Sequence, residues 1–277
     1  FPPMTLAFLR FSLASLFLAP FFLAETKKVK VDKKDYPKLV AIGVLIITLN
    51  IAFFFEGIKK TTAINASVIT LIIPMLSVLL GWWFLKEKIF LINLLGILVG
   101  LVGAMIIIGL PEILLGEFPP QIMLGNVLVL LAATVWVIGA IISRQMLKKY
   151  SSLTITAIAF MIGTLTFIIP AASEYIKNPS FVSQITMLGL LGLTYMTLLS
   201  SISAYFLFEW GLAKVGVIKA DLLQYIEPFV AAGLAILILG EKITIPLLVG
   251  AVLITAGVYL GTLAKEPHHR HHKAHRI

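Results

Sequence analysis

Residues 57–107 can be laid over residues 211–261 without a gap, at a fixed offset of 154 positions. Gly57 then meets Gly211, Lys60 meets Lys214, Ala66 meets Ala220 and Pro74 meets Pro228. Glu87-Lys88-Ile89 meets Glu241-Lys242-Ile243, Gly96 meets Gly250 and Gly103 meets Gly257. Apolar composition alone aligns Leu with Leu, but it does not align Gly, Pro, Glu and Lys together. Two related hydrophobic halves imply a fold with internal symmetry in the membrane, and such folds carry a site near the bilayer midplane where the halves meet.

The chain is 60% apolar and only 13% charged, with mean hydropathy +1.04. Soluble domains are about a quarter charged, so much of this surface must face hydrocarbon. Hydropathy gives nine runs of about 20 residues, the length that crosses ~30 Å of bilayer. They lie near 2–23, 39–58, 63–85, 89–110, 122–142, 153–172, 185–208, 220–239 and 243–263. Alternating the sides of successive loops leaves Lys59, Lys60, Lys177 and Lys242 on one side. Of the 22 Lys and Arg, all the others except Arg10 fall on the opposite side. That side is expected to be cytoplasmic by the positive-inside rule, and the C-terminus lies there. The net charge of +9 is therefore read as topology and not as nucleic-acid binding. Cysteine is absent, so thiol chemistry is excluded.

The expected fold class is an all-α integral membrane protein organised in two repeats. Residues 1–110 form the first, with four helices, and residues 122–264 form the second, with five. An external linker, 111–121, joins them, and 265–277 is a basic, His-rich cytoplasmic tail. Pro20 pairs with Pro170 at the slightly different offset of 150, which matches helix 2–23 to helix 153–172. The first repeat thus lacks a partner for helix 122–142. The expectation is a further apolar helix before Phe1, giving ten spans in two five-helix repeats. An odd number of spans in each repeat would invert one relative to the other.

Each half carries Gly-x16-Pro-x12-Glu-Lys-Ile followed by a Gly-rich last helix, Gly57, Pro74, Glu87-Lys88-Ile89, Gly96 and Gly103 in the first and their shifted mates in the second. With its two-repeat organisation, the chain resembles the EamA family of the drug/metabolite transporter superfamily. Arg10 in Leu9-Arg10-Phe11 is similar to the basic position of that family's second helix. The resemblance implies small-molecule transport, usually export, across a prokaryotic inner membrane. It names no substrate, because the family serves amino acids, other metabolites and drugs. A multidrug exporter and a facilitator or channel-like uniporter remain alternative readings. An enzyme or scaffold is disfavoured, since the spans hold no His or Cys. No cofactor or metal is called for, although His-rich tracts such as the tail can bind metals.

At 100° per residue, Ser67, Thr70, Pro74, Ser77 and Gly81 share one face of helix 63–85. The repeat places Asp221, Gln224 and Pro228 at the equivalents of Ser67, Thr70 and Pro74, with Tyr225 beside them. Polar groups in lipid normally face a bundle interior or a water-filled cavity, so these faces are candidate walls of a pathway. The alternative is that the hydroxyls bond back to their own helix and that Gly and Pro serve packing. Pro74 and Pro228 each remove a backbone donor in mid-helix, either as a hinge or as a fixed kink.

Glu227 lies about 10 Å inside helix 220–239 at 1.5 Å per residue. An acid at that depth suits proton coupling; a permanently protonated acid and an ion pair are the competing roles. Arg10, about 12 Å into its helix by the same rise, either snorkels outward or binds an anionic group. Thr194, Thr197, Ser201 and Tyr205 form one stripe on helix 185–208, Gly43, Asn50, Phe54 and Gly57 form another on helix 39–58, and both are candidate linings of the pathway. Asn50 could also bond across a helix interface. Trp136 is a further candidate for the cavity. Glu56 and Glu209 are expected to be solvated at helix ends. Trp82, Trp83 and Tyr150 are expected in interfacial aromatic belts. The expected partners are a small-molecule substrate, the lipid bilayer and protons.

Overall fold

The computed structural model describes residues 1–27, 31–85, 90–108, 120–215, 230, 234–240 and 242–263. Nearly all of these residues are helical, and no strand occurs among them. Hydrocarbon offers no hydrogen-bond partner to a free backbone group, and a helix satisfies each one within itself.

The helices are α1 Pro3–Thr26, α2 Tyr36–Ile42, α3 Asn50–Ile58, α4 Ala63–Thr70, α5 Ile73–Leu85, α6 Leu91–Ile108, α7 Pro120–Met146, α8 Ser152–Lys177, α9 Met187–Tyr195, α10 Ala204–Val215 and α11 Ile245–Leu263. Six helical rods among the described residues are long and apolar enough to span a membrane: Pro3–Glu25, Lys33–Ile58, Ala63–Phe84, Pro120–Met146, Ser152–Lys177 and Met187–Lys214. The apolar stretches Leu94–Ile107 and Ile245–Leu260 are shorter. The expected span 220–239 lies largely outside the described residues, as do most of the 111–121 linker and the tail. Local chemistry sets several boundaries. The hydroxyls of Thr62, Ser151 and Thr186 accept from the amides of Asn65, Thr154 and Gly189, each at 3.1 Å, and so cap the starts of α4, α8 and α9.

Two rods contain widened π-helical turns, Gly43–Leu49 between α2 and α3 and Met196–Ser203 between α9 and α10. The offset of 154 carries 43–49 onto 197–203, so the two irregularities fall at repeat-equivalent positions. The rod 63–85 breaks at Leu71-Ile72. Pro74 has no amide to donate to the carbonyl of Thr70, and the chain there shifts to shorter three-residue bonds, from Ile72 to Ile69 and from Met75 to Ile72.

Two pairs of helices that correspond under the repeat, α1 with α8 and α6 with α11, pack against each other and run antiparallel. Along α1 and α8, the amides of Met4 and Thr5 donate to the Glu174 carboxylate at 3.1 and 2.7 Å, Phe11 lies 6.3 Å from Phe167, and the hydroxyls of Ser15 and Thr164 are 3.3 Å apart. The contacts run backwards along α8 as they run forwards along α1. Along α6 and α11 glycine permits the crossing. A Cβ at Gly103 would stand 2.7 Å from the Gly250 carbonyl oxygen, and one at Gly257 would stand 2.5 Å from that of Gly96. Glycine on both helices lets the backbones touch, as membrane helix interfaces favour.

Two apolar cores result. One gathers α4, α5, α6, α7 and α11 around Ile69, Ile72 and Met75. The other gathers α1, α2, α8 and the Gly43–Leu49 turns around Phe11, Ile47 and Phe160. Trp136 of α7 packs against both. The outward surface is apolar, with Leu16, Ile169 and Leu188 each at least 70% exposed, as lipid contact demands.

Candidate functional site

The residues that carry chemistry converge where α1, α7 and α8 meet the rod 187–215. In that rod Thr197, Ser201, Tyr205 and Glu209 recur every four residues. Thr197, Ser201 and Glu209 are buried. The π-helical turns leave backbone carbonyls to be met by side chains: Ser201 donates to Met196 O at 2.9 Å and Ser203 to Leu198 O at 2.9 Å. Such turns are frequent at functional sites. Thr197 donates to Leu193 O at 2.8 Å. Thr194, expected on the same stripe, is exposed. Its spacing of three from Thr197 suits a regular helix, and the widened turns that follow select the spacing of four.

Arg10 reaches this stripe from α1. It is only 4% exposed, so it does not snorkel. Its Nε donates to Ser201 Oγ, and its Nη2 lies 3.4 Å from the Ser200 carbonyl. Its guanidinium carbon is 4.9 Å from the Phe11 ring and 6.0 Å from the Tyr205 ring, within cation–π range. Among the described residues it has no carboxylate partner. The aromatic wall continues from Tyr205 to Phe160 at 5.4 Å and to Trp136 at 5.7 Å, and from Trp136 to Phe208 at 4.8 Å. The indole Nε1 of Trp136 and the Oγ1 of Thr156 are buried with no hydrogen-bond partner among the described residues.

Glu209 continues the stripe one turn beyond Tyr205 and is 3% exposed, which corrects the expectation of a solvated helix end. Ser143 Oγ of α7 donates to its carboxylate at 2.6 Å. The neighbouring Arg144 turns to the helix end, donating to the Leu212 and Ala213 carbonyls. The signal was present in the sequence: 197, 201, 205 and 209 share one spacing, and prediction stopped the helix at 208 whereas α10 runs to Val215.

The other candidates are placed elsewhere. Asn50 Nδ2 donates to Ala132 O at 3.0 Å, joining α3 to α7. Ser67 and Thr70 donate to carbonyls three residues back, Ile64 and Ser67, at 2.8 and 2.7 Å. Pro74 and Ser77 are buried in the core of the first cluster's helices. Asp221, Gln224, Tyr225, Glu227 and Pro228 lie outside the described residues. Glu56 is paired with Lys59 at 2.6 Å near the surface, and Trp82 and Trp83 are exposed. Tyr150 departs from the aromatic-belt expectation. It is buried, donates to Asp35 Oδ2 at 2.8 Å, and accepts from the Asp32 amide at 3.1 Å. Lys149 donates to the same Asp35 oxygen at 2.8 Å, tying the loop before α2 to the loop between α7 and α8.

A polytopic helical membrane protein with a buried guanidinium and a polar, aromatic-walled interior is the architecture of a transporter for small molecules. The chain belongs to the EamA-like transporter family, whose profile matches residues 1–109 and 123–263. It is 30% identical over 261 residues to an uncharacterized transporter of Archaeoglobus fulgidus, covering 94% of this chain and 88% of the relative. It is 26% identical over 257 residues to an uncharacterized transporter of Clostridium kluyveri, covering 92% and 82%. A relative in Salmonella typhimurium, 28% identical and covered to 85% with 94% of this chain, is named a probable amino-acid metabolite efflux pump. A crystal structure of a protein 20% identical in sequence superposes with TM-score 0.64 over 95% of this chain and 88% of that one, which extends the likeness to the fold.

Proposed function

We propose that this protein exports small carboxylate-bearing metabolites, amino acids or related compounds, across a prokaryotic inner membrane, and that Arg10 holds the carboxylate. The observation that carries this reading is a guanidinium buried to 4% exposure with no carboxylate partner among the described residues. A buried cation is costly unless it is paired. Arg presents a planar fork that matches a carboxylate, and Tyr205, Phe160 and Trp136 offer apolar walls of the kind that small-molecule sites use. The name of the Salmonella typhimurium relative is consistent with this substrate class.

The pathway is bounded by Thr197, Ser201 and Tyr205 on one rod and by Ser67, Thr70 and Ser77 with Asn50 from the first repeat. Asp221, Gln224 and Tyr225 supply the repeat-equivalent wall, and Pro74 and Pro228 are the hinges. Glu227 couples export to inward proton movement. The repeats are inverted, which the antiparallel packing of α1 on α8 and of α6 on α11 supports, and the spans are nine in this chain. The C-terminus is cytoplasmic.

Efflux from proteoliposomes loaded with a panel of radiolabelled amino acids tests the reading. Arg10→Gln is expected to abolish saturable efflux of the carboxylate substrate, and Arg10→Lys to retain charge but lose affinity, because an ammonium cannot make the forked contact. Wild-type efflux by Arg10→Gln would refute the assignment.

A further inference from the structure

We propose that Glu209 is a proton-exchange site, with Ser143 as its hydrogen-bond partner in both protonation states. The inference rests on reading the Thr197 to Glu209 stripe as pathway surface. Glu209 and Ser143 come from different helices, and both are almost wholly buried, at 3% and 0% exposure. They are joined at 2.6 Å. A carboxylate only accepts hydrogen bonds, a carboxylic acid also donates one, and a hydroxyl does both. Ser143 therefore donates to the ionised Glu209 and accepts from the protonated form by rotating its O–H, with no change of neighbours. A backbone carbonyl in the same place would serve only the acid, because an ionised carboxylate has no proton to donate to it. The proton arrives from water and leaves to water, so no other reactant is needed.

The surroundings leave Glu209 without a fixed counter-charge among the described residues. The elements packed on α10 are α7, α8 and the turns Met196–Ser203. From α7 the nearest cation, Arg144, is occupied by the carbonyls of Leu212 and Ala213. The ionisable groups of α8, Glu174, Tyr175 and Lys177, lie at its far end, where Glu174 is engaged by Met4 and Thr5. Arg10, on α1, is held two turns away at Ser201. On α10 itself Tyr205 stands one turn before Glu209, and Lys214, five residues on, is exposed. Thr156 is one turn before Phe160, and Phe160 packs on Tyr205. Because α8 and the rod 187–215 are successive spans joined by a short connection, they run antiparallel. Thr156 therefore falls at the level of Glu209, and its buried hydroxyl has no partner among the described residues. Polar capacity thus remains at this level for water or a proton carrier, and Glu209 lies about 9 Å from the end of α10 at 1.5 Å per residue.

The test is infrared difference spectroscopy of the full chain in liposomes, reading the carbonyl stretch of protonated carboxyls while pH is stepped from acid to alkaline. Wild-type protein is expected to show a carboxyl band that comes and goes reversibly and is absent from Glu209→Gln. Ser143→Ala is expected to keep that band but displace its midpoint, which controls for misfolding of the Glu209 variant. A difference spectrum identical in wild type and Glu209→Gln, or a Glu209 band present at every pH, overturns the proposal. Because no substrate is used, this outcome is separate from that of the Arg10 efflux assay. Retained efflux by Arg10→Gln would end the substrate reading and leave the Glu209 titration standing, and the reverse holds equally.

Discussion

Adding a methyl group to Gly103 should destabilise the protein, although Gly→Ala in a helix ordinarily stabilises. In a regular helix Ala is favoured over Gly by about 1 kcal/mol. At Gly103 the new Cβ would stand 2.7 Å from the Gly250 oxygen and 2.9 Å from the Ile254 amide nitrogen. Both are backbone atoms, so no side chain can swing aside, and α6 and α11 must part by roughly 0.5–1 Å to restore ordinary contact. Overpacking of that kind costs about 1–3 kcal/mol. Gly192 of α9 is the internal control, since nothing lies within 4 Å of a Cβ built there. Propensity cancels between the two sites, and Gly103→Ala is expected to fall about 1–3 kcal/mol below Gly192→Ala. The assay is equilibrium unfolding by sodium dodecyl sulfate in mixed micelles, followed by helical circular dichroism. Equal stabilities for the two variants would refute the close antiparallel crossing.

Asn50→Leu is expected to cost about 0.6–1.7 kcal/mol in the same assay, the range for hydrogen bonds between membrane helices, and no change would argue against the bond to Ala132. The hydrogen bond to Asp35 raises the pKa of Lys149 above its ordinary value. A raised lysine contributes stability that is fully present below its unfolded pKa and is lost as pH rises through the folded one. Asp35→Asn should therefore destabilise at neutral pH and lose that effect in strong alkali, and an effect independent of pH would count against the pair. The chain has no native cysteine, so Lys148→Cys should react only with membrane-permeant thiol reagents in cells and Lys177→Cys also with impermeant ones. The opposite pattern would reverse the proposed orientation.

Hydropathy located the six long rods because every residue of a lipid-facing helix contributes to it, although single boundaries moved by as much as seven residues, from 208 to Val215. The π-helical turns at Gly43–Leu49 and Met196–Ser203 were not legible, since they arise from how the rod packs and not from a residue type that demands them. The buried stripe that passes through the second of them leaves out the exposed Thr194 and runs on into α10 to Glu209. Arg10 is singled out by its depth and by its likeness to a basic position of the family, but neither decides between snorkelling and burial; its burial beside Ser201 and Tyr205, brought from another rod, does. Ser67 and Thr70 are a different case. Shared polarity on a helix face points to a cavity wall, and the bonds of these hydroxyls to carbonyls three residues back do not choose between that wall and packing. The glycines shared by 57–107 and 211–261 are legible in the sequence, and the antiparallel crossings Gly103 on Gly250 and Gly257 on Gly96 are where some of them meet.

Whether water reaches the buried stripe is the most direct test of a transport pathway beside Arg10. In the otherwise cysteine-free protein, Thr197→Cys and Ser201→Cys are each exposed to a small, water-soluble thiol reagent in liposomes, with Leu199→Cys, which faces outward, as the comparison. Both stripe positions are expected to react as the pathway opens, more slowly when candidate substrate is present, while Leu199→Cys stays unlabelled in lipid. Inert cysteines at 197 and 201 under every condition would contradict a pathway along this face.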